Sequence, residues 1–226
     1  MEEEKLAVLV HQKLLDHFGY PEWREPLPAL DELVSTILSQ NTNDNNRDRA
    51  FHSLRDRFPT WEAVRDAPSG DVVEAIRSAG LANQKGPRIQ QVLQEITEQR
   101  GSLDLGFLKN LSVEDATRWL LSFKGVGPKT AAIVLQFSLG KPAFPVDTHI
   151  YRVSGRLGLR PEKMNADQAH THLAGLLPPE TYYAAHLNLI RLGRVICKAR
   201  KPDCERCPLR DICPYSAQVV QDGQQE

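Results

Sequence analysis

Four cysteines near the carboxyl end carry the most specific chemical spacing in the sequence: Cys197-x6-Cys204-x2-Cys207-x5-Cys213. The chain has no others. Four thiolates so close together can wrap one tetrahedral metal or a cubane iron–sulfur cluster. Zinc sites usually pair two C-x2-C knuckles across a longer spacer, and this run has only one tight pair, which disfavours zinc. A disulfide pair is disfavoured further, because the amino terminus points to the reducing cytosol. Lys198, Arg200, Lys201, Arg206 and Arg210 lie between and around the thiols. They suit phosphate contacts as well as they suit solvated charges that offset the thiolates.

A second candidate site lies at Lys124-Gly125-Val126-Gly127-Pro128-Lys129-Thr130. Gly125 and Gly127, one residue apart, permit a tight reversal and let backbone N–H groups approach a partner closely. Pro128 suits a first helical position, so the following helix points its positive end at the turn and favours an anion there. An ordinary helix–helix turn with a glycine cap is the competing reading, since Gly-x-Gly alone is a weak motif. Lys129 at that helix start meets a dipole that disfavours a cation by about 0.3–1 kcal/mol. The bias is small, but it favours the neutral amine, the form that attacks carbon. Taken singly, Lys129 reads better as a solvated surface lysine.

Asp147 stands in Phe144-Pro145-Val146-Asp147-Thr148-His149-Ile150, where an acid opening a helix fits an N-cap. Capping also immobilises a carboxylate, so a structural and a chemical role are compatible. A fixed carboxylate can stabilise a cationic sugar as a glycosidic bond breaks.

The elements that must position these groups are helical nearly throughout. Leu6, Val10, Leu14 and Leu15 form a stripe on a first helix ended by Gly19. The proline-rich stretch 21–28 is a connector. Further helices are predicted at 30–39, 44–57, 60–66, 70–78, 84–99, 113–123, 130–138, 148–157, 166–177 and 181–195. Ala116, Trp119, Leu120 and Phe123 recur at helical spacing just before the Gly-x-Gly turn. No strand-like alternation survives a count, so the fold class is all-α. The polar stretch 216–226 is expected to fray.

At 226 residues, 41% apolar and 25% charged, the composition is that of an ordinary globular protein. A net charge of −1 gives no global field for a polyanion, so any nucleic-acid face must be local. No apolar run is long enough to span a bilayer, and the acidic start, Met1-Glu2-Glu3-Glu4, is unlike a signal peptide. A cytosolic protein without membrane contact is expected. His170 and His172 are two apart and diverge on a helix, so they cannot share a metal. Trp23, Trp61 and Trp119 read as core residues rather than as base-stacking platforms.

Taken together, the cysteine run, Gly125-Val126-Gly127-Pro128-Lys129-Thr130-Ala131 and Val146-Asp147-Thr148-His149 resemble the endonuclease III family of helix–hairpin–helix, Gly/Pro-rich, Asp-containing DNA glycosylases. The resemblance runs from about Leu30 to Tyr215. It implies two helical domains flanking a DNA-binding cleft: a six-helix barrel with the helix–hairpin–helix over 21–136, and a cluster domain over 1–20 and 137–226. It also implies a [4Fe–4S] cluster held by Cys197, Cys204, Cys207 and Cys213, and a bifunctional base excision enzyme. In that enzyme Lys129 attacks the sugar C1′ of a flipped oxidised pyrimidine nucleotide, a Schiff base forms, and β-elimination cuts the abasic site. Asp147 stabilises the developing positive charge and helps activate the lysine.

Gln40, in Ser39-Gln40-Asn41-Thr42, and Leu81, in Gly80-Leu81-Ala82-Asn83, resemble the family's wedges that fill the gap left by the flipped nucleotide. Gly125, Gly127, Lys198, Arg200 and Lys201 complete the expected DNA contacts. The expected partner is double-stranded DNA with a damaged base or abasic site, met by a monomer in the nucleoid-associated cytoplasm. Base removal needs no electron, so the cluster is expected to shape a basic loop.

The sequence departs from the family at Lys124, where proline is common, at Pro128, where arginine is common, and at Asn43, where aspartate is frequent. These positions bear on DNA contacts and substrate range, and they leave Lys129 and Asp147 intact. Two rival functions are a monofunctional mismatch-type glycosylase, whose members typically lack a lysine at Lys129, and a non-catalytic DNA-binding helix–hairpin–helix protein, which would need neither Lys129 nor Asp147.

Overall fold

The computed structural model describes residues 2–217; the predicted frayed tail lies, beyond Ala217, outside them. Among the described residues the secondary structure is all helical, with no strand. The chain forms two compact units, one from residues 26–141 and the other from residues 1–25 together with 142–226.

The 26–141 unit contains α2 (Ala29–Ser39), α3 (Asp44–Arg57), α4 (Trp61–Asp66), α5 (Ser69–Ala75), α6 (Ala82–Arg100), α7 (Val113–Leu121) and α8 (Pro128–Ile133). Local chemistry starts several of these helices. Asn43, Thr60 and Ser112 each accept a hydrogen bond from the backbone N–H three residues on, which satisfies one of the open donors of a helix start. The core is built from Leu33, Ile37, Leu38, Leu54, Val64, Ile89, Leu93, Ile96, Leu120 and Leu135, all buried. Burial of each such side chain contributes about 1.5–3 kcal/mol.

Two features of this unit are not those the sequence predicts. The sixth helix begins at Ala82 rather than at 84 and carries Pro87 within it. It packs so closely on α5 that a Cβ on Gly86 would lie 2.9 Å from Val73 Cγ2. The helix after the Gly-x-Gly turn begins at Pro128, the first helical position its fixed φ suits, but its second half, Val134–Ser138, widens into a π-helix.

The other unit contains α1 (Glu2–Phe18), α9 (Thr148–Arg156), α10 (Ala166–Leu176) and α11 (Tyr182–Val195), followed by the cysteine loop. Gly19, at φ +77°, ends α1 in the left-handed conformation that favours glycine. Val10, Leu14, Phe144, Ile150, Val153, Leu173, Leu189 and Leu192 share its core. Helices α9 and α11 approach closely because Gly193 has no side chain: a Cβ there would lie 2.8 Å from His149 Cβ.

Trp61 is buried and donates Nε1–H to Asp31, but Trp23 is 68% exposed, against the expectation of a core residue. The proline-rich connector offers Trp23 no helix face to share, and it leans instead on Tyr183, 4.9 Å between ring centroids. No helix among the described residues is long and apolar enough to cross a membrane.

Candidate functional site

The hairpin joins α7 to α8. Gly125 takes φ +86°, which a side chain would strain. A Cβ on it would also overlap Nη1 of Arg88, whose guanidinium reaches across from α6. Lys129 follows, exposed in the first turn of α8, and its amine makes no hydrogen bond or ion pair among the described residues.

One loop of the same unit meets this hairpin through a hydrogen bond, and a second is tied to that loop. Gln40 is exposed at the end of α2, and its Nε2–H donates to the Gly125 carbonyl at 3.1 Å. Its neighbour Asn41 is left-handed, at φ 53°. Leu81 is 47% exposed and left-handed as well, at φ 52°, just before α6. An exposed leucine in that conformation satisfies neither packing nor backbone preference, and such outliers gather at functional sites.

The tie between these loops is a residue that sequence reasoning missed. Lys85 is 4% exposed, and its Nζ donates to the carbonyls of Leu38, at 2.7 Å, and Ala79, at 2.8 Å. One carbonyl lies just before Gln40 and the other just before Gly80-Leu81, so a single buried ammonium fastens both loops. Burial lowers the Lys85 pKa from its ordinary value. The available signal was position: Lys85 falls on the apolar stripe of Ile89, Val92, Leu93 and Ile96.

In the other unit Asp147 caps α9, its Oδ1 accepting the Ile150 N–H at 2.8 Å. It is half-buried, and Oδ2 has no hydrogen-bond partner among the described residues. The approach to it is fastened by two histidines that sequence reasoning treated as structural or left aside. His170 Nδ1 lies 3.1 Å from Val146 N and 3.2 Å from Phe144 O. The buried His186 lies, through Nδ1, 2.9 Å from Pro145 O. His172 turns the other way, to the Leu159 carbonyl at 3.0 Å, so the pair do diverge.

The helix that Asp147 caps also holds the cysteine loop. Arg152 donates to the carbonyls of Gly193, at 2.8 Å, and Cys197, at 3.0 Å. Arg156, one turn on, donates to the carbonyls of Lys198 and Ala199 and lies 3.3 Å from Cys197 Sγ. The Cys213 thiol donates to the Arg156 carbonyl at 3.5 Å. Lys198, Arg200 and Lys201 are exposed on this loop, Lys201 left-handed at φ 50°.

The donor set distinguishes a cluster from a single ion. Cys204 and Cys207 are both raised above the usual thiol range, first by burial and then by the other cysteines, Cys207 to about 11. The four thiols therefore lie within electrostatic reach of one another. The donors are four cysteines with one tight Cys-x2-Cys pair, whereas zinc sites usually pair two such knuckles, so the residues present suit a cubane.

An all-α unit with a Gly-x-Gly hairpin, an N-capping aspartate and a four-cysteine loop define a helix–hairpin–helix iron–sulfur protein. Comparison with known proteins bears this out. A family model described as HhH-GPD superfamily base excision DNA repair protein matches residues 34–179, and one described as iron-sulfur binding domain of endonuclease III matches residues 197–213. The chain is 34% identical over 183 residues to endonuclease III of Thermotoga maritima, covering 81% of each. It is 40% identical over 173 residues to a putative DNA glycosylase of Arabidopsis thaliana, covering 76% of this chain and 59% of that protein. Over 174 residues it is 32% identical to the Arabidopsis DNA glycosylase/AP lyase ROS1, of which it spans only 12%. Among solved structures, a non-covalent endonuclease III–DNA complex superposes with a TM-score of 0.81 at 26% identity, covering 96% of this chain and 98% of that one.

The chain belongs to the HhH-GPD superfamily of base excision DNA repair proteins. Within it, this is an endonuclease III-like base excision repair glycosylase with a [4Fe–4S] cofactor.

The contacts of Arg156 make it the side chain most closely joined to the cysteine loop. Arg156→Met keeps the length and removes every donor. It is expected to make the cluster roughly tenfold more labile, read as faster bleaching of the brown visible absorbance in air. Unchanged bleaching would contradict the bracing role.

Proposed function

We propose that this glycosylase is bifunctional: it removes oxidised pyrimidines from double-stranded DNA and then cuts the abasic site through a Schiff base on Lys129. What carries the reading is the Lys129 amine, exposed and without a hydrogen-bond or ion-pair partner directly after the hairpin. A non-catalytic DNA-binding protein would need neither this lysine nor a carboxylate oxygen left open at Asp147. The relatives support it in their printed names, endonuclease III and DNA glycosylase/AP lyase.

In this reading the damaged nucleotide leaves the stack, and Gln40 and Leu81 fill its place. Gln40 releases the Gly125 carbonyl when it does so. Lys129 Nζ attacks C1′, the C1′–N glycosidic bond breaks, and the base leaves with the bonding pair. Asp147, through its open Oδ2, stabilises the positive charge on the sugar and helps activate the lysine, whose shed proton passes to water. The C1′–O4′ bond then opens to an imine. Loss of a C2′ proton expels the 3′-phosphate, and water releases Lys129 with an unsaturated aldehyde on the cut strand. The hairpin N–H groups of Gly125 and Gly127, with Lys198, Arg200 and Lys201, hold phosphates.

Cys197, Cys204, Cys207 and Cys213 ligate the cluster, and when bound it cross-links the loop that bears these cations. The protein acts as a monomer in the nucleoid-associated cytoplasm, with residues 21–136 as the barrel domain and 1–20 with 137–226 as the cluster domain.

The test uses holoprotein and a 5′-labelled duplex with one oxidised pyrimidine, resolved on a gel with and without alkali. A cut strand without alkali is the expected product. Cutting only after alkali would assign a monofunctional enzyme, and no cutting under either condition would remove oxidised pyrimidines as the substrate.

The wedge reading makes its own prediction. Leu81→Gly removes a side chain from a left-handed position, where a non-glycine residue costs about 1–2 kcal/mol, and glycine returns some of that as chain entropy. The melting temperature is therefore expected to hold or rise by about 2–4 °C. Base release should fall by about tenfold or more, because nothing fills the gap in the stack. Full activity in this variant would rule out a wedge at Leu81.

A further inference from the structure

We propose that Arg88 is a phosphate-binding residue, the cationic wall of the hairpin's anion site, contributed by α6 rather than by the hairpin itself. The inference rests on the DNA-repair reading above and adds a residue to it.

Three observations converge. First, the Arg88 guanidinium lies against Gly125 so closely that any side chain there would overlap it. Second, this half-buried guanidinium makes no hydrogen bond or ion pair among the described residues. Arg152 and Arg156 are satisfied by carbonyl oxygens and Arg65 by Asp66, whereas Arg55 is also half-buried and keeps a buried Nη1 without a partner; what sets Arg88 apart is its seat against the hairpin. Its five N–H donors are therefore open to an acceptor that reaches the hairpin.

Third, the hairpin beside it presents donors without acceptors. Val126 N–H is used by the Phe123 carbonyl and Ala131 N–H by the Gly127 carbonyl. The N–H groups of Gly125, Gly127, Lys129 and Thr130 have no backbone acceptor. Gln40 adds order without satisfying any of them, since it donates to the Gly125 carbonyl.

A cluster of unmet N–H donors with an unmet guanidinium at its edge matches one ligand chemistry, a phosphodiester oxygen pair. Arginine suits this better than lysine because its planar fork gives two parallel hydrogen bonds. The same contact explains why residue 125 must be glycine for a second reason besides its φ of +86°: the guanidinium occupies the space of a side chain.

The experiment measures affinity for a duplex carrying a stable tetrahydrofuran abasic analogue, and for an undamaged duplex, from about 50 to about 200 mM salt. Wild-type holoprotein is compared with Arg88→Gln and Arg88→Lys, and each is melted to check folding. Each phosphate neutralised contributes about 0.9 to the slope of log K against log salt. Arg88→Gln is expected to lower the slope by about 0.9 on both duplexes and to weaken binding by about tenfold at low salt. Arg88→Lys is expected to keep the slope while losing part of the affinity. A residue that only packs the hairpin would change affinity and melting without changing the slope.

An Arg88→Gln protein with wild-type slope and affinity would overturn the proposal. So would a slope that falls equally in Arg88→Lys, because charge would then not be what matters. The underlying reading is scored separately by borohydride adduct formation on a true abasic site. Loss of the slope without any wild-type adduct would keep the phosphate contact and discard the lyase.

Discussion

Asp147→Asn is expected to slow base release by about 10²–10³-fold with almost no change in folding. The contrast follows from the two jobs of one side chain. As an N-cap, Asp147 accepts the Ile150 N–H, and asparagine caps a helix about as well as aspartate. In the proposed mechanism its carboxylate brings the negative charge that stabilises an oxocarbenium-like sugar, and asparagine brings none. Asp147→Ala removes both, and should cost about 1 kcal/mol of stability besides. Single-turnover base release with a thermal melt of each variant separates the two roles. Equal loss of activity and stability in Asp147→Asn would show that capping was the residue's only function.

Lys129→Ala is expected to reduce strand cleavage at an abasic site by roughly 10³-fold or more, because no nucleophile remains to form the imine. The side chain is exposed and contacts nothing through its amine, so stability should change by no more than about 0.5 kcal/mol. DNA affinity should fall only slightly, since one exposed cation among several is lost. Cleavage by Lys129→Ala at the wild-type rate would move the nucleophile elsewhere.

Local signals were the legible part of this molecule. Pro145-Val146-Asp147 announces a capped helix, and α9 begins at Thr148 as expected. The two glycines and Pro128 announce a reversal followed by a helix, and the spacing of the cysteines announces a cluster. Each of these depends on a few adjacent residues and on backbone preferences that act within one turn.

What depends on distant neighbours was not legible. Lys85 lies on the apolar stripe of its helix, but the carbonyls of Leu38 and Ala79 that it ties reach it only in the fold. Arg88 meets Gly125 only through the tertiary fold. Trp23 has the composition of a core residue and the exposure of a surface one, because its connector has no apolar face. The left-handed backbone at Leu81 runs against the residue's own preference, so no propensity could indicate it. The π-helical turn at Val134–Ser138 likewise has no glycine or proline to mark it.

The proposed mechanism turns on an imine formed on Lys129 during base excision. Borohydride reduction of holoprotein on a duplex with one oxidised pyrimidine, followed by peptide mapping of the adduct, tests it most directly. The expected product is a covalent protein–DNA species whose modified peptide carries the sugar remnant on Lys129, absent from Lys129→Ala. No adduct from folded protein with its cluster intact, or an adduct on another amine, would contradict it.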